Sequence, residues 1–427
     1  MENLHKVADD CVANSDADLR KINLDIHSHP ETLYQEVYAH ELLCDYFDKQ
    51  GFTVERGAGG LPTAFRASFG PETGAGGQLT RAVAINLEYD ALPILGHACG
   101  HNLIATAGVA AALGMAAAIK EGNLSGRVVA IGTPAEEGGG GKIKLIKAGI
   151  YKDIFCCLMV HAMQHDNAYF TSMCGSELTI EYIGKPAHAM AAPWDGINAL
   201  DAMTLLHTSI GLLRQQIMPT DRIRGVVLSA GESSGVIPHY SKARYCVRSA
   251  SLVRYRTLKT KFINCLEAAA LATGCELKTD WMPAYWDIRV NHGLAGKYVE
   301  HMEEIGVPFP PMHEQKANMT CASTDMGNVT YEVPSIHPIF AVGILRHGSY
   351  SQDLLTTQQL DSPNGSIHTK AFEQVAATQD SHERAIKCGR AMARTGIEVL
   401  VNDDFAAQVK REYDETDMSI ALDPWVA

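Results

Sequence analysis

Apolar residues run along this chain in two different rhythms. Ala82–Leu87 is continuously apolar apart from Asn86, as a strand covered on both faces should be. Arg127–Ile131 and Ile154–Val160 repeat that signature. Helical patterns separate these runs. The Ala-rich stretch Leu103–Lys120 predicts a helix whose small side chains permit close packing, and KIKLIKAGIY predicts a shorter one ended at Gly149. Helices also precede the first strand, with apolar positions such as Leu42, Leu43, Tyr46 and Phe47 and a stop at Gly51. Strand and helix in alternation imply an α/β fold, a parallel-rich central sheet with flanking helices.

The pattern changes near Cys174. Glu177–Ile183 alternates in character, as a half-exposed strand does. Met203, Leu206, Ile210, Leu213 and Ile217 recur at three and four residues, predicting an amphipathic helix ended by Pro219. Further strands are expected at Gly225–Ala230 and Ala243–Ser249, a helix at Arg254–Ala272 and a strand from near Cys275. Two strand–helix–strand units with short links make a small open-faced α+β sandwich. It is placed at 176–290, inserted between residues 1–175 and 291–427 of the first domain. An Ile339–Val342 strand and a long helix near 379–400 complete that first domain.

A length of 427 residues agrees with two domains, since it exceeds the usual size of one core. The 46% apolar and 20% charged fractions are those of an ordinary globular protein. A formal charge of −13 argues against a nucleic-acid partner, which would require a basic face. No apolar run approaches the ~20 residues of a membrane span, so no membrane partner is expected. The start, MENLHKVADDCVANSD, is polar and acidic where a signal peptide has a basic then apolar stretch. The expected location is cytoplasmic. Eleven cysteines, odd in number and dispersed, fit reduced buried thiols better than a disulfide framework.

One cysteine stands apart because of its neighbours. Cys99 and His101 lie two residues apart in GHACGHN, and Gly100 between them lets both side chains face one ion. Four other segments offer ligand side chains: Glu88 and Asp90 in LEYDALP, Glu136 and Glu137 in TPAEEGGGG, His161 in LMVHA, and His368 in GSIHTKAF. In open parallel sheets ligands collect outside the carboxyl ends of the strands, and three of these segments follow predicted strands. Each has a blander reading. Cys99 could be a core thiol, His101 a helix cap, His161 a core imidazole, His368 a surface residue and the Glu pair solvated acids. Together they form a Cys/His/Glu/His/His set that suits zinc and tolerates manganese or cobalt, as one or two ions. Adjacent carboxylates resist joint ionisation unless a cation is present. One of the pair can then ligate while the other works as a base. The glycine run Gly138–Gly141 lacks the Lys-Ser/Thr of a phosphate loop and implies close backbone approach.

At these residues the chain resembles the M20 family of metallopeptidases and amidohydrolases. The branch is that of aminobenzoyl-glutamate hydrolases, indole-acetyl-amino-acid hydrolases and M20 domain-containing dipeptidases. The resemblance covers nearly the whole chain through DIHSHPETLYQE, EYDALP, GHACGHNLI, TPAEEGGGGK, MVHA, GKPAHAM, STDMGNVTYEVPSIHP and SIHTKAF. It implies a zinc-exopeptidase-like catalytic domain and an inserted lid and dimerisation domain, hence a homodimer. It implies Cys99, His101, Glu137, His161 and His368 as metal ligands, Glu136 as general base, and Asp90 as the carboxylate that orients the ligand loop. It implies further that His188 polarises the scissile carbonyl, often from the partner subunit, and that Arg248 in YCVRS meets a substrate carboxylate. Two positions depart from the family. Asn102 stands where many relatives have Asp, and Gly235 in GESSGVIPH stands where an Asn usually contacts substrate.

The reaction implied is hydrolysis of an amide bond in a dipeptide, an N-acyl amino acid or a related small amide. The altered GESSGVIPH segment motivates an alternative, amide formation on the same scaffold. A non-catalytic binding protein is a third reading, opposed by the complete ligand set. A nucleotide-dependent oxidoreductase is disfavoured because no G-x-G-x-x-G follows a strand.

Overall fold

The structure is a computed structural model that describes residues 1–74, 76–317, 322–342 and 366–416. It divides into two compact units, one of Met1–Thr171 with most of the chain from Ile288 onward, the other of Ser172–Asp287. The first unit begins with three helices, α1 (Glu2–Asn14), α2 (Asp16–Ser28) and α3 (Val37–Lys49). A hairpin of β1 (Thr53–Arg56) and β2 (Phe65–Phe69) follows, then β3 (Arg81–Leu87), α4 (His101–Gly122) and β4 (Gly126–Gly132). α5 (Gly141–Lys147), β5 (Cys156–Leu158) and β6 (His161–Met163) close this stretch.

The second unit holds β7 (Cys174–Ile183), α6 (Ala199–Leu213), β8 (Arg222–Ser229), β9 (Tyr240–Ser249), α7 (Leu252–Thr273) and β10 (Glu276–Trp281). Its four strands form an antiparallel sheet in the order β10-β7-β9-β8. Tyr182, Tyr255 and Phe262 are buried there. α6 stops at Leu213, earlier than the apolar spacing predicts, and Ile217 follows a short 3-10 turn at Arg214–Gln216. A 3-10 turn keeps a near-helical spacing, so periodicity alone does not see the break.

The chain then returns through α8 (His292–Glu304), α9 (Met312–Ala317), α10 (Met326–Val329), β11 (Ser335–Ile336) and β12 (Ile339–Ala341). It ends in α11 (Lys370–Ala376), α12 (Gln379–Val401) and α13 (Asp403–Glu415). The main sheet has the order β1-β2-β4-β3-β5-β11. β4, β3, β5 and β11 pair in parallel, while β1, β2 and β4 pair antiparallel. The fold is mixed α/β, with a mostly parallel six-stranded sheet in the first unit and a separate four-stranded antiparallel one in the second.

Two expectations need correcting. Ile154–Val160 is not one strand: β5 ends at Leu158, and His161 opens β6, which pairs with β12 in a separate two-stranded sheet. Every residue from Cys156 to Ala162 is buried, so the apolar run passes through the break without interruption. α4 is also long and apolar enough to cross a bilayer, with 94% of its most apolar window buried inside the protein. It is a core helix. α12 lies so near it that a Cβ on Gly389 would sit 2.7 Å from the Ala107 carbonyl oxygen.

Candidate metal centre

The ends of β3 and β4, the start of α4, β6 and the turn before α11 deliver the candidate residues. Backbone shape does part of this. Gly100 is left-handed at φ +76, and a Cβ there would lie 2.8 Å from the Ala162 Cβ. Ala135, just before the Glu pair, is also left-handed at φ 56, as is His368 at φ 64. Non-glycine residues hold such angles only where their surroundings impose them. The Ala135 N–H donates to Glu36 Oε1 (3.1 Å), and the His368 N–H to the Ala98 carbonyl (2.8 Å). At the glycine run, a Cβ on Gly141 would overlap the Pro134 carbonyl at 1.8 Å, so close backbone approach is realised there.

Asp90 is the hub. His101 Nδ1–H donates to Asp90 Oδ1 (3.0 Å), and the Glu137 backbone N–H donates to Asp90 Oδ2 (3.0 Å). One buried carboxylate thus aims an imidazole and the turn carrying the Glu pair. His161 Nδ1–H donates to the Ala162 carbonyl (2.8 Å). Both rings are therefore turned with Nε2 toward the other donors, the orientation that metal-binding histidines take from their outer partners. His161 Nε2 lies 3.6 Å from Cys99 Sγ. Glu137 Oε1 is 3.4 Å from His368 Nε2 and 3.9 Å from His101 Nε2. Donor atoms of Cys99, His101 and His161 fall within 4.8 Å of one another, as do those of Cys99, Glu137 and His368. Cys99 belongs to both sets, a bridging position.

The donors fit a divalent ion. His101 Nε2 and Glu88 Oε2 are buried 3.6 Å apart, neither with a hydrogen-bond partner, a pair that an ion between or beside them would satisfy. Thiol, imidazole and carboxylate together form a zinc-type donor set.

Electrostatics separates the two adjacent glutamates. Burial pushes the Glu136 carboxyl well above the ordinary range, and the negative Glu88, Glu137 and Asp325 add to the shift. Burial acts on Glu137 too, but His368 and His101 outweigh it and hold that carboxyl low. Burial, reinforced by Glu137, raises the Cys99 thiol. A dication among these groups would favour the thiolate instead. Burial opposes ionisation of Asp90 as well, but His101 outweighs it and the carboxyl titrates low.

Several residues of this centre escape reasoning from sequence alone. Lys142, fully buried, donates to Glu88 Oε1 (2.6 Å) and Asp325 Oδ1 (2.7 Å). Those carboxylates keep the ammonium charged against its burial. Burial raises Asp325 to about 6 even beside that lysine. Glu36 accepts from Thr63 and from the Tyr34 and Ala135 N–H groups, and so holds the strained turn. His337 packs its buried ring 5.5 Å from that of His161. Lys142 directly follows the glycine run and Asp325 stands in STDMGN, so both sat beside recognised motifs. Asn102 donates to Asn23 Oδ1 (2.8 Å) and the Ala376 carbonyl (3.0 Å). It ties α4 to α2 and α11.

The remaining candidates lie on the second unit. His188 is exposed, and its Nδ1 accepts from the Met190 and Ala191 N–H groups (3.3 and 3.2 Å). The neutral ring then carries its proton on Nε2. His188 bridges to Val236, which brings Gly235 alongside. Arg248 sits near the far end of β9, where Gly175 leaves room for its side chain. From Tyr240 to Arg248 the strand runs about 27 Å at ~3.4 Å per residue. One chain does not bring Arg248 and His188 together.

A mixed α/β unit with thiol, imidazole and carboxylate donors converging beside a second buried carboxyl defines a hydrolase of the metallopeptidase type. Residues 85–357 match Peptidase family M20/M25/M40. The chain belongs to that family. It is 38% identical over 395 residues to the Xaa-Arg dipeptidase of Mus musculus, covering 91% of this chain and 87% of that protein. It is 24% identical over 488 residues to one of the subunits of the p-aminobenzoyl-glutamate hydrolase of Escherichia coli, covering 97% of this chain and 96% of that protein. Among solved structures, a dinuclear metal-binding M20 peptidase of Bacillus subtilis superposes with a TM-score of 0.65 at 18% identity, covering 91% of this chain and 99% of that one.

Proposed function

We propose that this protein hydrolyses the amide bond of dipeptides or N-acyl amino acids, with Cys99, His101, Glu137, His161 and His368 holding one or two divalent ions, zinc foremost. The observation that carries this reading is the double grip of Asp90 on His101 and Glu137. It aims ligand atoms and, through the same turn, Glu136. The dinuclear character named for the Bacillus subtilis relative supports two ions, and the relative named an Xaa-Arg dipeptidase supports a dipeptide substrate.

A divalent ion in this set would supply Lewis acidity, drawing the pKa of water toward ~7 and polarising a carbonyl. The chain's own groups do the rest. Glu136 accepts the proton of the attacking water on a carboxylate oxygen and returns it to the departing nitrogen. Its buried, carboxylate-rich surroundings raise its proton affinity, as that exchange requires. Glu137, held ionised by His368 and His101, remains a ligand. His188 donates Nε2–H to the developing oxyanion, and Arg248 pairs with the substrate carboxylate.

The separation of His188 from Arg248 along β9 supports a homodimer, because a dipeptide is too short to meet both from one chain. β8 is an edge strand with Val226, Val227 and Leu228 each about half exposed. Unpaired edges of this kind invite a second strand.

The test is metal analysis of the purified protein, then an amine-release screen over Xaa-Arg and other dipeptides, N-acyl amino acids and p-aminobenzoyl-glutamate. Stoichiometric metal with release from one of these classes is expected. Metal-loaded protein that releases nothing would remove the hydrolytic reading, and amide formed from acyl donor and amine would reverse its direction.

A further inference from the structure

A second group of ligating side chains lies where α1, α8 and α12 meet, and the proposed reaction has no use for it. His5 on α1, His301 on α8 and Glu398 on α12 place a ring nitrogen each and a carboxylate oxygen within 4.8 Å of one another. The two imidazoles meet edge to face at 4.9 Å between centroids. Nε2 of His5 and Nε2 of His301 are both buried without a hydrogen-bond partner. His301 as a residue is only 3% exposed.

The proton on His301 has a defined place. Glu304 Oε2 lies 3.2 Å from Nδ1, so Nδ1–H donates to that carboxylate and Nε2 keeps its lone pair. This is the carboxylate–imidazole pairing that orients and strengthens a metal-binding histidine. Burial draws the His5 pKa down to about 4 and lowers that of His301, with Arg394 contributing to both. Both rings are therefore neutral near pH 7, the form a ligand needs. The nearby cations are already engaged. Arg390 donates to Asp9, and Arg394 to Asp9 and Glu304. Asp9, Glu304 and Glu398 against two guanidinium groups leave one negative charge. An open cleft of about 490 Å³, lined by His5, Asp9 and Glu304 together with Lys6, Arg390 and Arg394, reaches the junction at His5.

We propose that His5, His301 and Glu398 form a further metal site, separate from the centre at Cys99, which takes a borderline divalent ion such as zinc and fastens α1 to α8 and α12. Two imidazoles and a carboxylate select zinc, nickel or cobalt over magnesium or calcium. Around one tetrahedral ion, donors at ~2.0–2.2 Å sit roughly 3.4 Å apart. Modest side-chain rotation brings the three together, and solvent takes the fourth position.

The test is equilibrium dialysis of the full-length, chelator-stripped protein against micromolar Zn²⁺, with bound zinc counted per chain. His5→Gln and Glu398→Gln should each bind one equivalent less than the parent while turnover stays within about twofold. Cys99→Ser should lose zinc from the other centre and keep this equivalent. In the parent, zinc should also raise the melting temperature by more than it does in His5→Gln, because an ion bound only by the folded state stabilises it. His5 sits at a cleft and its exchange leaves the core intact; if that variant did not fold, Glu398→Gln carries the comparison. Equal zinc counts in the parent and the folded variant would overturn the site and leave an imidazole pair at a helix junction.

Discussion

His101 in the first unit and His188 in the second are assigned to one reaction, but they are built differently. His101 is fully buried, its Nδ1 bonded to a carboxylate that also grips the Glu137 backbone. His188 is exposed and held by two backbone N–H groups within three residues of itself. In the first unit the functional groups sit in a closed lattice of charge: Lys142 between Glu88 and Asp325, Asp90 between His101 and Glu137, Glu36 under the strained Ala135. A change there should spread into metal content and folding. In the second unit a change should stay confined to the reaction.

The largest effect should follow from Glu136→Gln. Turnover is expected to fall by about 10²–10⁴-fold, the range for a lost general acid–base group, with metal content unchanged by elemental analysis. Near-normal turnover would remove Glu136 from that role. Lys142→Met should sharpen the contrast from the stability side. It strands two buried carboxylates, so urea unfolding should register a loss of about 3–5 kcal/mol. A loss below roughly 1 kcal/mol, the worth of a surface pair, would show the cluster is more hydrated than its burial implies.

His188→Ala should lower kcat by about 10²–10³-fold, as removal of an oxyanion donor does, with melting temperature and metal content as in the parent. Mixing that variant with Glu136→Gln tests the two-chain arrangement. Activity should reappear in mixed dimers, whereas two inactive parents that never complement would confine each site to one chain. The smallest effect concerns His5 in chelator-treated protein. Its folded pKa, about 4, lies below the usual 6.5. The unfolded chain therefore takes up the proton first as pH falls, and the contribution of His5 to stability, complete above pH 6.5, drains away between 6.5 and 4. Parent and His5→Gln stabilities should converge over that interval, and parallel pH profiles would contradict the assignment.

The first unit was legible wherever chemistry and burial coincided. The apolar runs predicted β3, β4 and α4 because most of each is buried, and the candidate ligands stood out because Cys99, His101 and the Glu pair lie at element ends. Three things were hidden. β1 reads TVER, with nothing apolar to mark a strand beyond a single valine, so the antiparallel hairpin beside the parallel strands escaped notice. β5 and β6 share one apolar run but serve two sheets. Lys142 resembles the solvated lysines two and five residues on, since only the fold discloses that its position in the first turn of α5 faces Glu88 and Asp325. Residues 343–357, the end of the matched family segment, lie outside the described structure.

The most direct measurement is anomalous diffraction at the zinc edge from crystals grown with Zn²⁺. One or two peaks should lie ~2.3 Å from Cys99 Sγ and ~2.0–2.2 Å from the His and Glu137 donor atoms. No peak among Cys99, His101, Glu137, His161 and His368 at saturating zinc would contradict the account at its foundation.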